Sequence, residues 1–584
     1  MKKTNTTISN FGKRDITAVA FFLSIFVYKL IIGTQGLNIY DEGFQLVGFQ
    51  NILTHPESVQ YQFLYYLGFL CGGIWNHFFG EFSIYGLRFL SSIVSVLTFF
   101  FLYKALKGVI RTRYIYLGII LLSLFNQLST TFNHNTLTTF FNVAAAYLLY
   151  LSIYKNKIKY ILFSGFIIGV NVYVRIPNLA MTGLILALVP FYLYNKNLKL
   201  TGKYFMFAIL GFILGNTAVL ILLYSLHHLP YMTEAILGQL SGDNDSSHNL
   251  AYIFKTYIVA DYIPLLKNIL LLSIVPLFIY YVPHFIRSSK MIHVLLCMSV
   301  LFFCFIIFKY YYSIPFLNSF STAILLLSLF YYRTNKKIVY LSALGLLIEY
   351  LHPMGGDWGF FNITPLNIYL SLPLSIGLAE KLISKIHSNN ISRMYLNSVM
   401  GVFCSFLFLK GLKATVLHEK WYGTYPVWTM TYRPHLENVN ILLDENRGKE
   451  LEELTKALNQ YVTKGDFLFS IDECPIAYYL TYTQPYLYNP LVWCYGTGQL
   501  KMRLIQAERE RKEVPVALLE KNTGAYYSFI NNRYDLPESY RNNNRKNKIY
   551  NAYLKRHNYQ IAWENEKYVI LLPHSSFTDK KAEI

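Results

Sequence analysis

Two carboxylates stand side by side where the first apolar stretch of the chain ends: Gly36-Leu37-Asn38-Ile39-Tyr40-Asp41-Glu42-Gly43-Phe44 follows the hydrophobic run 16–34. Ionisable groups beside a membrane span are costly to place and are functional candidates by default. A carboxylate there could act as general base for an attacking hydroxyl or amine. The competing reading is structural. Acidic residues favour helix N-termini, and the pair would cap an amphipathic helix starting near Phe44.

Cations are the natural complement if the reaction releases a phosphate. Arg175 ends an apolar run just before a proline, in Tyr173-Val174-Arg175-Ile176-Pro177-Asn178, and a guanidinium can fork onto two phosphate oxygens. Arg88, Lys255 and Lys309 are further candidates. Asn133-His134-Asn135 could bind sugar hydroxyls or help hold a metal, or it could be a hydrogen-bonded turn, with His134 and Asn135 as the residues of interest. Asp357-Trp358, inside His352-Pro353-Met354-Gly355-Gly356-Asp357-Trp358-Gly359, offers a polar contact beside a flat apolar face, as carbohydrate sites do; a plain surface turn is the alternative. A divalent cation is the one cofactor to consider. The pair Asp41-Glu42 lacks the spaced third carboxylate that would support one.

These residues are positioned by a chain built for lipid. Of 584 residues 54% are hydrophobic and only 14% charged, with 51 Tyr and 44 Phe, which excludes disorder and most soluble classes. Apolar runs long enough to cross roughly 30 Å of hydrocarbon recur up to position 411, about thirteen of them. The basic start Met1–Arg14 has no small-residue cleavage site after it, so 16–34 reads as a retained first span. The net charge of +20 suggests nucleic acid until its placement is considered. Lys2, Lys13, Lys104, Arg113, Lys155, Lys199, Lys337 and Lys385 fall in alternate connections, while Arg175, Lys255 and Lys309 are the main cations of the opposite ones. That asymmetry is the positive-inside pattern; it predicts a cytoplasmic N-terminus and no nucleic-acid partner.

An odd number of spans puts everything after about residue 412 on the outer side. The expected fold is therefore a polytopic α-helical membrane domain, 1–415, with outer loops 35–82, 227–262 and 352–365, followed by an outer-face α/β domain, 416–584. In that second part Arg447–Val462 reads as an amphipathic helix. Strands are expected at 466–471 and 514–519, and a hairpin at 559–572. Residues 61–79 are apolar enough to lie along the interface. Cys474 and Cys494 share the outer domain and could pair in an oxidising compartment.

The acidic pair after one span, the interfacial stretch, and Phe79-Gly80-Glu81-Phe82-Ser83-Ile84-Tyr85-Gly86-Leu87-Arg88 opening the second span together resemble the GT-C membrane glycosyltransferases. In layout the chain is similar to protein O-mannosyltransferases and lipid A aminoarabinose transferases. The resemblance implies sugar transfer from a polyprenyl-phosphate donor to a lipid, glycan or protein acceptor at the outer face, with inversion. The Lys-, Asn- and Tyr-rich composition points to a bacterium, so the expected membrane is an inner one and the outer side periplasm. The resemblance makes Asp41 the base. Glu42 would orient the acceptor or help bind a divalent ion. A lipid-oligosaccharide flippase would need paired repeats and broken helices at the midplane, and neither is evident. A polysaccharide polymerase or ligase would favour an arginine-rich outer loop, and the long loops here are poor in arginine.

Overall fold

The computed structural model describes residues 5–125, 130–240, 255–285, 289–309, 315–354, 359–362, 364–386, 390–417, 419–420, 423–424, 426–471, 474–511, 513–531 and 544–574. Helices dominate. The first is α1 (Asn5–Ile32), followed by the short α2 (Asp41–Asn51), α3 (Tyr66–Phe79) and the long α4 (Ser83–Leu106). Next come α5 (Thr112–Phe125), α6 (His134–Lys155), α7 (Ile158–Asn171), α8 (Leu188–Asn195), α9 (Leu198–Ser225) and α10 (Leu229–Leu240). Five long helices complete the bundle: Ile263–Phe285, Ser289–Lys309, Pro315–Tyr331, Lys336–Leu351 and Asn390–Val416, with Ser371–Ile386 between the last two. Among the described residues six helices are long and apolar enough to cross a membrane, and five shorter apolar helices accompany them. The chain is an integral membrane protein.

One of the roughly thirteen apolar runs read as spans, 178–194, is not one α-helix. Ile176–Ala187 is a 3-10 helix that hands over to α8 at Leu188. Pro190 lacks the N–H that an α-helical ladder would need there. The stretch expected at the interface, 61–79, becomes a 3-10 turn, Pro56–Tyr65, and then α3, set off from α4 by the turn Gly80–Phe82.

Close packing of α7 on α9 rests on glycines four residues apart in both helices. A Cβ at Gly165 or Gly169 would collide with the carbonyls of Ala208 or Phe212, and one at Gly211 or Gly215 with those of Leu162 or Phe166. Small residues in this spacing let two helix backbones touch where lipid supplies no hydrophobic drive between helices.

The C-terminal part is α/β. Its sheet runs Gln484–Pro485, Phe467–Ser470, Val516–Glu520, Tyr568–Leu572, Gln560–Glu564. Phe467–Ser470 is parallel to both its neighbours, and the remaining pairs are antiparallel. Val516–Glu520 and Tyr568–Leu572 are buried throughout, as their near-continuous apolar runs require of strands covered on both faces. The possible Cys474–Cys494 bridge is not formed: both are free, Cys474 buried before the helix Ile476–Thr481 and Cys494 in the turn Val492–Cys494. One buried apolar cluster joins residues of the first long loop, such as Phe44, Phe63 and Phe69, to Leu468, Tyr478 and Leu518 of this sheet region.

Gly211→Val should separate α7 from α9 and cost about 1–3 kcal/mol, as overpacking does. Gly202→Val, at a position with nothing within 4 Å, should not. Thermal unfolding in detergent tests the pair, and equal midpoints would remove the glycines from the packing argument.

Candidate active site

The first loop is organised by Asn38. Its side-chain oxygen accepts from the N–H groups of Tyr40 and Asp41, both at 3.0 Å, a local turn that aspartate and asparagine favour. The turn starts α2 at Asp41, so both acids lie in its first helical turn. From there they diverge. Glu42 turns inward and is 0% exposed. It accepts from the Asn38 N–H at 2.8 Å, from Arg88 Nη2 at 2.9 and 3.0 Å and Nε at 3.2 Å, and from the Thr131 hydroxyl. Asp41 stays half-buried, with Asn38 Nδ2 donating to it at 3.3 Å. Burial pushes its carboxyl above the usual range; the Asn38 hydrogen bond opposes this, and the Glu42 charge adds to it.

Arg88 does not fit the phosphate role expected of it. It is 1% exposed. Besides Glu42 and Thr131 at 3.4 Å, it donates to the carbonyls of Gly33 at 2.8 Å, Gln35 at 3.0 Å and Gly36 at 2.5 Å. The guanidinium fastens the end of α1, the loop and α2 to α4. Glu42, sealed in this ion pair, is likewise withdrawn from the acceptor and from a divalent ion. Among the described residues no group of three or more His, Cys, Asp or Glu could hold a metal.

The C-terminal part reaches into the same place. Gly36 N–H donates to Leu442 O, and Leu442 N–H to Thr34 O, each at 2.8 Å. Asn440 donates to Phe82 O at 2.7 Å and accepts from Tyr85 N–H at 3.1 Å. Gly43, in the turn that carries Asp41, lies so close to Pro475 and Ile476 that a Cβ there would meet the Ile476 nitrogen at 2.6 Å.

Arg175 is 7% exposed and precedes the 3-10 helix Ile176–Ala187. A buried amide network underlies that junction: Asn171 donates to Asn142 at 2.8 Å, and Asn178 to Thr138 at 2.9 Å and to the Asn171 side chain at 3.1 Å. The Arg175 charge bears on His352, which follows the helix Lys336–Leu351. The triplet around His134 is a helix start: Asn133 caps α6 by accepting from Thr136 N–H at 2.9 Å. His134 stacks on Tyr65 with ring centroids 4.3 Å apart, and Asn135 is half-buried beside it in the sequence. Burial and Arg175 hold His352 neutral, with its pKa pushed down to about 3.

Lys255 is exposed at the start of the 255–262 segment. Lys309 is the last residue of Ser289–Lys309, and Asp357 and Trp358 lie outside the described residues, as does the stretch 241–254 of the expected outer loop 227–262. Sequence reasoning missed the Glu42–Arg88 pair and His352. Nothing local marks the pair, whose members are 46 residues apart. For His352 the signal was available: an ionisable residue at the end of an apolar run.

Residues 71–233 match the family model of dolichyl-phosphate-mannose-protein mannosyltransferases. No curated protein matches the chain. Among solved structures, ArnT from Cupriavidus metallidurans in the apo state is 10% identical with a TM-score of 0.49, covering 96% of this chain and 98% of that one. The same protein bound to undecaprenyl phosphate gives 10%, 0.48, and the same coverage. An oligosaccharyltransferase from Archaeoglobus fulgidus gives 11% and 0.43, covering 87% of this chain and 70% of that one. The similarity to GT-C superfamily glycosyltransferases read from the residues is borne out by the family match.

Arg88→Met should leave Glu42 buried without its cation, a break that costs about 3–5 kcal/mol. The expected result is a sharply lower unfolding midpoint in detergent and faster proteolysis within 33–41. Replacing both partners, Glu42→Leu with Arg88→Met, should recover most of the loss. A single variant as stable as wild type would dismiss the pair as the loop's anchor.

Proposed function

We propose that this membrane glycosyltransferase moves a sugar from a polyprenyl-phosphate donor to a lipid, glycan or protein acceptor at the outer face of a bacterial inner membrane. Asp41 is the base. It takes the proton of the acceptor hydroxyl or amine as that atom attacks the anomeric carbon. The bond from that carbon to the phosphate oxygen breaks on the opposite side, so configuration inverts, and the departing phosphate is held by Arg175. The observation that carries the reading is the division of the acidic pair. Glu42 is locked to Arg88, while Asp41 keeps a half-buried carboxyl at the start of α2. The family match over 71–233 supports the reaction class.

The proposed orientation has the N-terminus in the cytoplasm, about thirteen crossings, and the C-terminal α/β part in the periplasm. Lys255, Lys309, Asn135, Asp357 and Trp358 remain proposed substrate contacts at the ends and loops that this orientation places outside.

Asp41→Asn should abolish release of polyprenyl phosphate by the purified protein when donor and acceptor are supplied, with folding intact. Undiminished release would move the base elsewhere. The base must be ionised, so activity should fall as pH drops through the raised Asp41 pKa, above the ordinary carboxylate range. Asn38→Ala removes the hydrogen bond that favours the ionised form. It should shift the acid limb of kcat/KM to higher pH, and an unmoved limb would separate that limb from Asp41.

A further inference from the structure

Glu349 is 0% exposed in the last turn of Lys336–Leu351, and no positive side chain pairs with it among the described residues. A helix C-terminus carries the negative end of the peptide dipole, so a carboxylate there is doubly out of place. An ionisable group buried in a membrane bundle is expensive and calls for a partner. The two carboxylate oxygens differ. Oε1 accepts from the Thr322 hydroxyl at 3.2 Å, and that hydroxyl lies 3.0 Å from the Tyr350 hydroxyl. Oε2 has no hydrogen-bond partner among the described residues.

The surroundings are rich in oxygen. Asn367 donates to the Glu349 carbonyl at 3.0 Å, and Asn318 donates to Asn367 Oδ1 at 3.4 Å. That leaves Asn318 Oδ1 buried without a donor. Asn318 and Thr322 are one turn apart in Pro315–Tyr331, so they share a face. Ser371 approaches from a third helix, Ser371–Ile386. A Cβ on Gly345, one turn before Glu349, would stand 3.6 Å from Ser371 Cα and Cβ. The Ser371 hydroxyl comes beside the Glu349 carboxyl but outside bonding geometry. Nor does any backbone N–H of Ser371–Ile386 donate to the carboxylate among the described residues. Buried polar atoms are almost always bonded, and orphans need an explanation. Here three of them, Glu349 Oε2, Asn318 Oδ1 and Ser371 Oγ, belong to three helices joined at one buried negative charge.

We propose that Glu349 holds a monovalent cation of the sodium type, bound by Glu349 Oε2 together with the Asn318 amide oxygen and the Ser371 hydroxyl. The ion clamps Pro315–Tyr331, Lys336–Leu351 and Ser371–Ile386 to one another. The donor set is all oxygen, which suits a hard cation, and its single carboxylate balances a single positive charge. Carbonyl-type oxygens and helix C-terminal ends are common sodium ligands inside membrane bundles. A proton on Oε2 would give a donor to one of the orphans; a cation gathers all three. None of these residues belongs to the acidic pair or to Arg175, so the inference stands apart from the reaction assigned above.

The test is equilibrium binding of radiolabelled sodium to the full-length protein in detergent, with thermal unfolding in sodium, potassium or choline chloride at equal ionic strength. Wild type should bind sodium saturably, and its unfolding midpoint should rise with sodium over the same concentration range, as ligand linkage requires. Choline should give no such rise. Ser371→Ala removes a hydroxyl that bonds nothing in the protein. In choline its midpoint should match wild type, while half-saturation should need roughly 3–10-fold more sodium. Glu349→Gln, nearly the same shape, should lose sodium binding and the sodium-dependent rise together. Absence of sodium binding by wild type would overturn the proposal and leave Glu349 a protonated carboxyl. Equal midpoints in sodium and choline would do the same. Sodium binding retained in a folded Glu349→Gln would place the ion elsewhere and overturn this site.

Discussion

The buried ion pair between Glu42 and Arg88 is the constraint on which the rest of the site depends. Isolated in a low-dielectric interior either charge would be prohibitively costly, and even as a pair they gain little over apolar residues of similar volume. What the pair contributes is position. Arg88 holds three backbone carbonyls, at Gly33, Gln35 and Gly36, along with Glu42. The chain leaving α1 therefore has one path into α2. Two chemically similar neighbours are thereby given opposite fates. One is immobilised and sealed, and the other sits at the head of the same helix with its carboxyl partly open.

A second layer of fixation comes from buried amides. Asn142, Asn171, Asn178 and Thr138 join α6, α7 and the following 3-10 segment below Arg175. In a lipid-surrounded bundle such hydrogen bonds favour close helix contact. They complement the glycine seam between α7 and α9, which brings the two backbones together by leaving out side chains. The bundle thus combines two ways of replacing the hydrophobic drive that it lacks.

Much of the architecture was legible in the residues. The hairpin at 560–572 and the strands at 467–470 and 516–520 announce themselves by compact apolar or β-branched runs between turn signals. The acidic pair stood out because water-seeking groups are rare beside a span. What the chain concealed was pairing at a distance. Arg88 read as an outward cation because its partner lies in another helix, and periodicity carries no information about such contacts. The run 178–194 had the apolar length of a span, yet hydropathy does not distinguish a 3-10 helix from an α-helix, and its first part, up to Ala187, is 3-10. His352 read as part of a loop, although its place at the end of an apolar run marked it as an ionisable group that needed a reason.

The loop before α2 also has a history in time. Gln35 bonds to Val427, 392 residues further along the chain; Gly36 needs Leu442, and Gly43 rests on Ile476. A ribosome delivers the loop and α2 early and their seat very late. Throughout most of its own synthesis the protein holds an unfinished first loop, whose Arg88–Glu42 lock can form once α4 and Thr131 exist but whose C-terminal support cannot. Maturation of the site is thus tied to completion of the chain, so a truncated product would carry the acidic pair without the scaffold that aims it.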